Sequence, residues 1–310
     1  MTLLGDLWRL DRALVEAPCP GCGGRDRQAI LHRDRYLLAV DVSLCRACGL
    51  VHTARHLPAD AADTFYRTTY PRLMRSDVAS PERIGTARLH AAYRFLRLRE
   101  VVPSFAAMLE IGCGLGHFLD ECRRQGVARY HGLEPNAADR RYAAERLGLA
   151  SHLDGASVEA MASPPFPPDL VVLFHVLEHL DDPGALLDRL GDWLTPGGWL
   201  VVEVPDILGE WGVLGVYNFH IGHRSYFSAE SLCGLLARRG FVARQIDRCD
   251  ADGIFPGNLR VFAQRGAAET PAPVPPSQVI SHVRQRLKPW SLATGYPRWA
   301  LRLARRTVGA

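Results

Sequence analysis

An apolar run broken only by Glu110 covers residues 107–111 and enters Gly112-Cys113-Gly114-Leu115-Gly116 directly, and a helical pattern opens at His117. A strand that ends in a glycine-rich loop at a helix N-terminus belongs to an α/β chain. A parallel strand needs a crossover, and the loop lets a ligand lie against backbone at the positive end of a helix. Taken alone, such a loop suits a nucleotide as well as other ligands. The surrounding pattern supplies context: strands are predicted over 107–111, 129–134, 169–174, 199–204, 242–247 and 259–264, and helices over 81–100, 117–125, 136–147, 184–194 and 228–240. Alternation of this kind implies a parallel sheet with helices on both faces. The last two strands are joined through Asp250-Ala251-Asp252-Gly253 with no helix between them, so the sheet is expected to end in an antiparallel hairpin.

Four of the eight cysteines form two pairs, Cys19-Pro-Gly-Cys22-Gly and Cys45-Arg-Ala-Cys48-Gly. Each pair can wrap a tight turn around a metal, and two turns supply the four sulfurs of a tetrahedral zinc site. With all four positions taken by thiolates no place remains for water or substrate, so the zinc is expected to be structural. Residues 36–40, between the pairs, read as a strand. A disulfide framework or a redox pair is disfavoured by the expected cytoplasmic setting and by the absence of a βαβ context. That setting is itself an expectation: the N-terminus carries Asp6, Arg9, Asp11 and Arg12 where a signal peptide is apolar, and no run approaches the ~20 apolar residues of a membrane span.

The net charge is +4, but residues 278–310 hold seven Arg and Lys and no acid, which leaves residues 1–277 at −3. The basic balance therefore belongs to a tail and does not mark a nucleic-acid-binding body. The organisation expected is a zinc-binding segment (1–60), a helical lead-in (61–104), an α/β core (105–266), a Pro-rich linker (267–277) and a basic amphipathic tail (278–310) that can contact an anionic membrane.

The second core strand ends in Leu133-Glu134-Pro135, and Glu134 lies 18 residues beyond Gly116. That is close to the ~20 expected of a carboxylate that accepts from ribose hydroxyls. With 110–116 (Glu-Ile-Gly-Cys-Gly-Leu-Gly), Glu134, 169–179 (Asp-Leu-Val-Val-Leu-Phe-His-Val-Leu-Glu-His) and 194–205 (Leu-Thr-Pro-Gly-Gly-Trp-Leu-Val-Val-Glu-Val-Pro) in this order, the sequence resembles the class I S-adenosylmethionine-dependent methyltransferases over about residues 105–265. The resemblance implies a Rossmann-like seven-stranded sheet with a reversed last hairpin. It also implies S-adenosylmethionine held by Glu110, Gly112 and Gly114 at its methionine end and by Glu134 at its ribose, with Gly116 among the cofactor-binding residues. Glu159 would flank the adenine, and Phe174 and His175 would close the pocket.

Two clusters follow predicted strand ends, where open α/β sheets place ligands: His175, Glu178 and His179, and then His220, His223 and Tyr226. His223 is the first candidate for general base, with His179, Tyr226 and His220 beside it. His175 and His179 would share a face if a helix began there, and one helical turn would present His223 with Tyr226. A four-Cys segment before the core and a His-Arg-Ser-Tyr-Phe-Ser stretch after the fifth strand are together similar to sugar C-methyltransferases, although Ile221-Gly222-His223 stands where those enzymes have His-Glu-His. The expected acceptor is a small molecule or saccharide, possibly nucleotide-linked. The rival readings are an RNA methyltransferase and a non-catalytic module that binds the cofactor.

Overall fold

The computed structural model describes residues 3–70, 73, 79–158, 160–209, 218–249, 257–266 and 275–287. Glu159, the 250–253 turn, the linker residues 267–274 and the tail beyond Leu287 lie outside the described residues.

The core strands are β6 (Ala107–Ile111), β7 (Arg129–Leu133), β8 (Leu153–Asp154), β9 (Leu170–Phe174), β10 (Trp199–Pro205), β12 (Phe241–Arg248) and β13 (Asn258–Arg265). They form a seven-stranded sheet in the order β12-β13-β10-β9-β6-β7-β8. β8, β7, β6, β9 and β10 run parallel, and β13 is antiparallel to both β10 and β12. The fold is thus the α/β sheet with a reversed terminal hairpin that the sequence implied. β8, only two residues long, has no apolar run to announce it.

Alternation along the strands feeds two layers, so the sheet is buried on both faces. Leu109, Ile111, Val171 and Leu173 pack with Leu186, Leu187 and Leu190 of one helix (Pro183–Trp193) and Leu232, Leu235 and Leu236 of another (Ala229–Arg238). Met108, Leu170, Val172 and Phe174 face the other way, onto Ala91, Phe95 and Leu98 of the long helix Pro81–Val101 and Phe118, Leu119 and Cys122 of helix His117–Arg124. The order reverses between β6 and β9, which opens a crevice at their C-terminal ends.

The cysteine segment carries a short antiparallel pair, β1 (Val15–Glu16) with β5 (Arg55–His56), and builds a second sheet from β2 (Arg27–Leu31), β3 (Val42–Cys45) and β4 (Val51–Thr53). Its fourth strand comes from the core: β11 (Ser225–Tyr226) pairs antiparallel with β4, Ser225 opposite His52 and Tyr226 opposite Val51. Residues 36–40 are not the expected strand. Tyr36, Leu38 and Val40 are buried at alternate positions, but Leu37 (φ 64°) and Asp41 (φ 51°) are left-handed, and Asp34 Oδ1 accepts from the N–H groups of Tyr36 and Leu38. The alternation reflects burial of an irregular loop without ladder pairing.

Leu44, Tyr36 and Phe65 share a core with Phe219, Ile221 and Tyr226, and with Val279, Ile280 and Val283 of the helix Pro276–Arg286. The start of the basic tail is therefore packed against the cysteine segment through its apolar stripe. No helix among the described residues is long and apolar enough to cross a membrane.

Candidate functional site

At the crevice, the loop after β6 turns through Gly112 (φ 72°) and Gly114 (φ 54°). These two glycines serve different purposes. A Cβ on Gly112 would meet Val176 Cγ2 at 2.6 Å, so Gly112 permits close packing, whereas a Cβ on Gly114 would meet nothing within 4 Å and would project into open space. Glu134, just past β7, accepts from the Gly114 N–H through Oε2 and from the Asn136 N–H through Oε1, each at 2.7 Å. Burial pushes its carboxyl up to about 7, against the pull of those two N–H groups. Each oxygen keeps a lone pair for a further donor. Glu110 is 3% exposed, and its Oε2 has no hydrogen-bond partner among the described residues. Burial holds its carboxyl well above the usual range. An orphaned acid oxygen, open space over Gly114 and a second carboxylate with free lone pairs suit a ligand with an ammonium group and vicinal hydroxyls, so these residues fit S-adenosylmethionine.

Phe174, at the end of β9, is buried with the Phe118 ring edge-on and the Arg94 guanidinium 4.2 Å over its face. His175 follows in a left-handed conformation (φ 58°), and Leu177–His179 form a tight 3-10 turn rather than the α-helix that would have aligned His175 with His179. His175 Nδ1 lies 3.2 Å from Glu178 Oε1, and its Nε2 lies 3.0 Å from the Asn258 amide and 3.5 Å from Glu203 Oε1. Burial opposes protonation there, but the two carboxylates outweigh it and raise His175 to about 9, so it carries a charge at neutral pH and is no base. Glu203 is fully buried between Arg94 and Arg260 at 2.6 Å each. Its partners, Arg94 foremost, overcome the burial penalty and hold it ionised. Neither Glu203 nor Arg94 stood out in the sequence, because a charge on a strand and another on a helix read as ordinary solvated positions.

Next to His175 a cavity of about 220 Å³ is walled by Arg35, Asp206, Asn218, His220, His223 and Tyr226 among others. The rings of His220 and His223 are 3.8 Å apart, those of His179 and His223 4.8 Å, and those of His223 and Tyr226 5.7 Å. His223 and Tyr226 meet without the expected helical turn: a turn followed by β11 brings them together. The Tyr226 hydroxyl accepts from the His220 N–H (3.1 Å) and donates to the His220 carbonyl (3.3 Å), so it fixes that residue's backbone. Burial first, and neighbouring imidazoles and Arg35 next, keep His220 and His223 well below the usual imidazole range and therefore neutral.

The loop bearing these histidines is strapped to the cysteine segment. Asp34 Oδ2 accepts from the Ile221 N–H at 2.7 Å, the Arg35 N–H donates to the Phe219 carbonyl at 2.9 Å, and Arg224 donates to Thr53 and to Asp181. The lead-in helix adds Tyr66, which donates to the carbonyls of Gly222 (3.0 Å) and His179 (3.3 Å). Tyr70 lies so close that a Cβ on Gly222 would meet its ring at 2.5 Å, a physical reason for glycine between Ile221 and His223.

Cys19, Cys22, Cys45 and Cys48 come together with all four sulfurs within 4.8 Å, a set that can hold a metal ion. The Sγ–Sγ separations of 3.6 Å (Cys19–Cys48) and 3.5 Å (Cys22–Cys45) are close to the ~3.8 Å edge of a tetrahedron with metal–sulfur bonds of ~2.3 Å. Gly23 and Gly49, both at φ 73°, complete the two turns.

Residues 86–246 match the family model described as a methyltransferase domain. The chain is 33% identical over 128 residues to a ubiquinone biosynthesis O-methyltransferase of Rhodopseudomonas palustris, covering 40% of this chain and 50% of that protein. It is 32% identical over 119 residues to the protein of that name from Xylella fastidiosa, covering 34% and 44%. It thus spans about half the length of these curated relatives or less. Among solved structures it is similar to magnesium protoporphyrin IX methyltransferase from Synechocystis PCC 6803, at 14% identity and a TM-score of 0.49 over 67% of this chain and 99% of that one.

Proposed function

The chain belongs to the methyltransferase-domain family, and from that premise we propose that it transfers a methyl group from S-adenosylmethionine to a small oxygen-bearing acceptor held in the histidine-walled cavity. The observation that carries this reading is the pair Glu134 and Gly114 at the crevice, beside the orphaned oxygen of Glu110. Bound there, S-adenosylmethionine supplies a methyl group on a sulfonium, already a good leaving group. Glu134 would accept from the two ribose hydroxyls and Glu110 would face the amino group. An electron pair on the acceptor forms the new bond to the methyl carbon as the sulfur–carbon bond breaks, its pair remaining on sulfur, and the acceptor's proton passes to an imidazole.

His220 and His223 both line the cavity and stay neutral through burial, and we assign the proton to His220 because of its held backbone. Tyr226 fixes that backbone on both sides. His179 already commits Nδ1 to the Gly222 carbonyl at 2.6 Å. The wall is largely apolar but carries Arg35, Asp206, Asn218 and imidazoles that can bind the oxygens of a saccharide, and the likeness of the flanking motifs to sugar C-methyltransferases supports that acceptor class. In the same reading the four cysteines hold a structural zinc and the protein works in the cytoplasm.

The test is to incubate the protein with S-adenosylmethionine and, separately, keto-sugar nucleotides, polyhydroxylated aromatics and bulk RNA, with mass spectrometry of the products. A one-methyl mass gain on a sugar nucleotide is expected. A gain on an aromatic would replace the saccharide by an aromatic acceptor, and a gain on RNA alone would overturn the small-molecule reading.

A further inference from the structure

Glu178, His179 and His223 converge from two separate turns, and the steps above leave all three without a role. Their ligand atoms lie within 4.8 Å of one another. His179 Nε2 is 4.0 Å from Glu178 Oε1, a span that two donors at about 2.0–2.2 Å from a shared ion can bridge. The hydrogen bond from His179 Nδ1–H to the Gly222 carbonyl fixes the tautomer and leaves Nε2 with a bare lone pair, the arrangement that orients ligand imidazoles. Glu178 is 1% exposed; Oε1 faces His175 Nδ1, and Oε2 has no hydrogen-bond partner among the described residues. A buried acid oxygen without a donor costs free energy that a cation would offset. His223 brings the third ligand to the cavity wall.

We propose that Glu178, His179 and His223 bind one divalent transition-metal cation at the wall of the acceptor cavity, with open coordination positions for oxygen atoms of the acceptor. Two imidazoles and a carboxylate suit zinc, manganese or iron, and three protein ligands leave room for a small molecule. This set is distinct from the four thiolates of the cysteine segment, which leave no position open. The class of acceptor it selects has neighbouring oxygens, as in a hydroxyketone or a vicinal diol. That part rests on the methyl-transfer reading, whereas cation binding does not. His220, outside the three ligands, remains available for the proton.

Manganese is the probe, since carboxylate and imidazole accept it whereas a four-thiolate site favours zinc. Full-length protein with zinc in its cysteine site is titrated with Mn2+, and free Mn2+ is followed by electron paramagnetic resonance. One Mn2+ per chain is expected, and His179→Gln and His223→Gln should each weaken it about tenfold or more. Binding of S-adenosylmethionine, measured by calorimetry on the same samples, checks that the variants are folded. Wild-type protein that binds S-adenosylmethionine but no Mn2+ overturns the cation site and leaves the methyltransferase reading standing; the reverse result overturns that reading and keeps the site. Mn2+ affinity unchanged in both variants also overturns the site. If one variant fails to fold, the other and the wild-type stoichiometry decide.

Discussion

Cys45→Ser abolishes most methyl transfer while leaving S-adenosylmethionine binding nearly intact. Apparent binding free energies of structural zinc in small domains run to about 10–16 kcal/mol. Cys45 closes β3, the strand that pairs with β2 on one side and β4 on the other, and β4 in turn holds β11. In the proposed zinc-bound state, losing the metal therefore releases the strand that carries Tyr226, and with it the clamp on His220. Asp34, in the same segment, releases Ile221. The cofactor crevice draws on β6 and β7 instead and keeps its own hydrogen bonds. Turnover should fall by about 10²-fold or more, as for loss of a general base. Amide exchange should speed up over residues 27–53 and 219–226. Full turnover with the segment unfolded would show that the second sheet does not hold the histidine loop.

His220→Ala lowers turnover by about 10²- to 10⁴-fold, the usual contribution of a general base, with little change in cofactor affinity. His220 lines the acceptor cavity, and no hydrogen bond from its ring to the crevice residues Glu110, Gly114 or Glu134 is present among the described residues. Single-turnover rates across pH separate a base from a packing residue. The wild-type rate should depend on a neutral imidazole and drop as pH falls, and the residual rate of the variant should lose that dependence. If His220→Ala turns over normally with its pH dependence intact, His220 is not the base.

Much of the core was legible because β6, β9 and β10 are buried on both faces and so appear as apolar runs, broken by at most one acid each and bounded by turns. Their predicted ends fall within a residue or two of the observed ones. The cysteine pairs were legible for a different reason: a cluster of four thiols that can hold a metal needs both the residue type and the spacing. What stayed hidden was set by contacts between distant segments. β8 and β11 are two residues long and exist because a neighbouring strand offers hydrogen bonds. Tyr36, Leu38 and Val40 alternate like a strand, yet Asp34 folds them into a loop that meets Ile221. Glu178 was visible only as one acid beside two histidines, and Glu203 not at all. Burial against His175, Arg94 and Arg260 is what sets them apart from solvated charges.

The most direct test of the account is a calorimetric titration of S-adenosylmethionine into the wild-type protein and Glu134→Ala at several pH values. The ligand-free Glu134 carboxyl holds its proton up to about pH 7 because burial raises it. Its ionised form accepts from both ribose hydroxyls, so binding favours loss of that proton. Affinity should therefore rise with pH through this range, being roughly tenfold weaker one unit below the midpoint than in the fully ionised protein. Above the midpoint, Glu134→Ala should weaken binding by about 1–3 kcal/mol, or about 5- to 150-fold, and should lose the part of the pH dependence that Glu134 supplies. One saturable site with these two differences is the predicted result. Equal dissociation constants for the two proteins at every pH, or no saturable binding by the wild type, would contradict it.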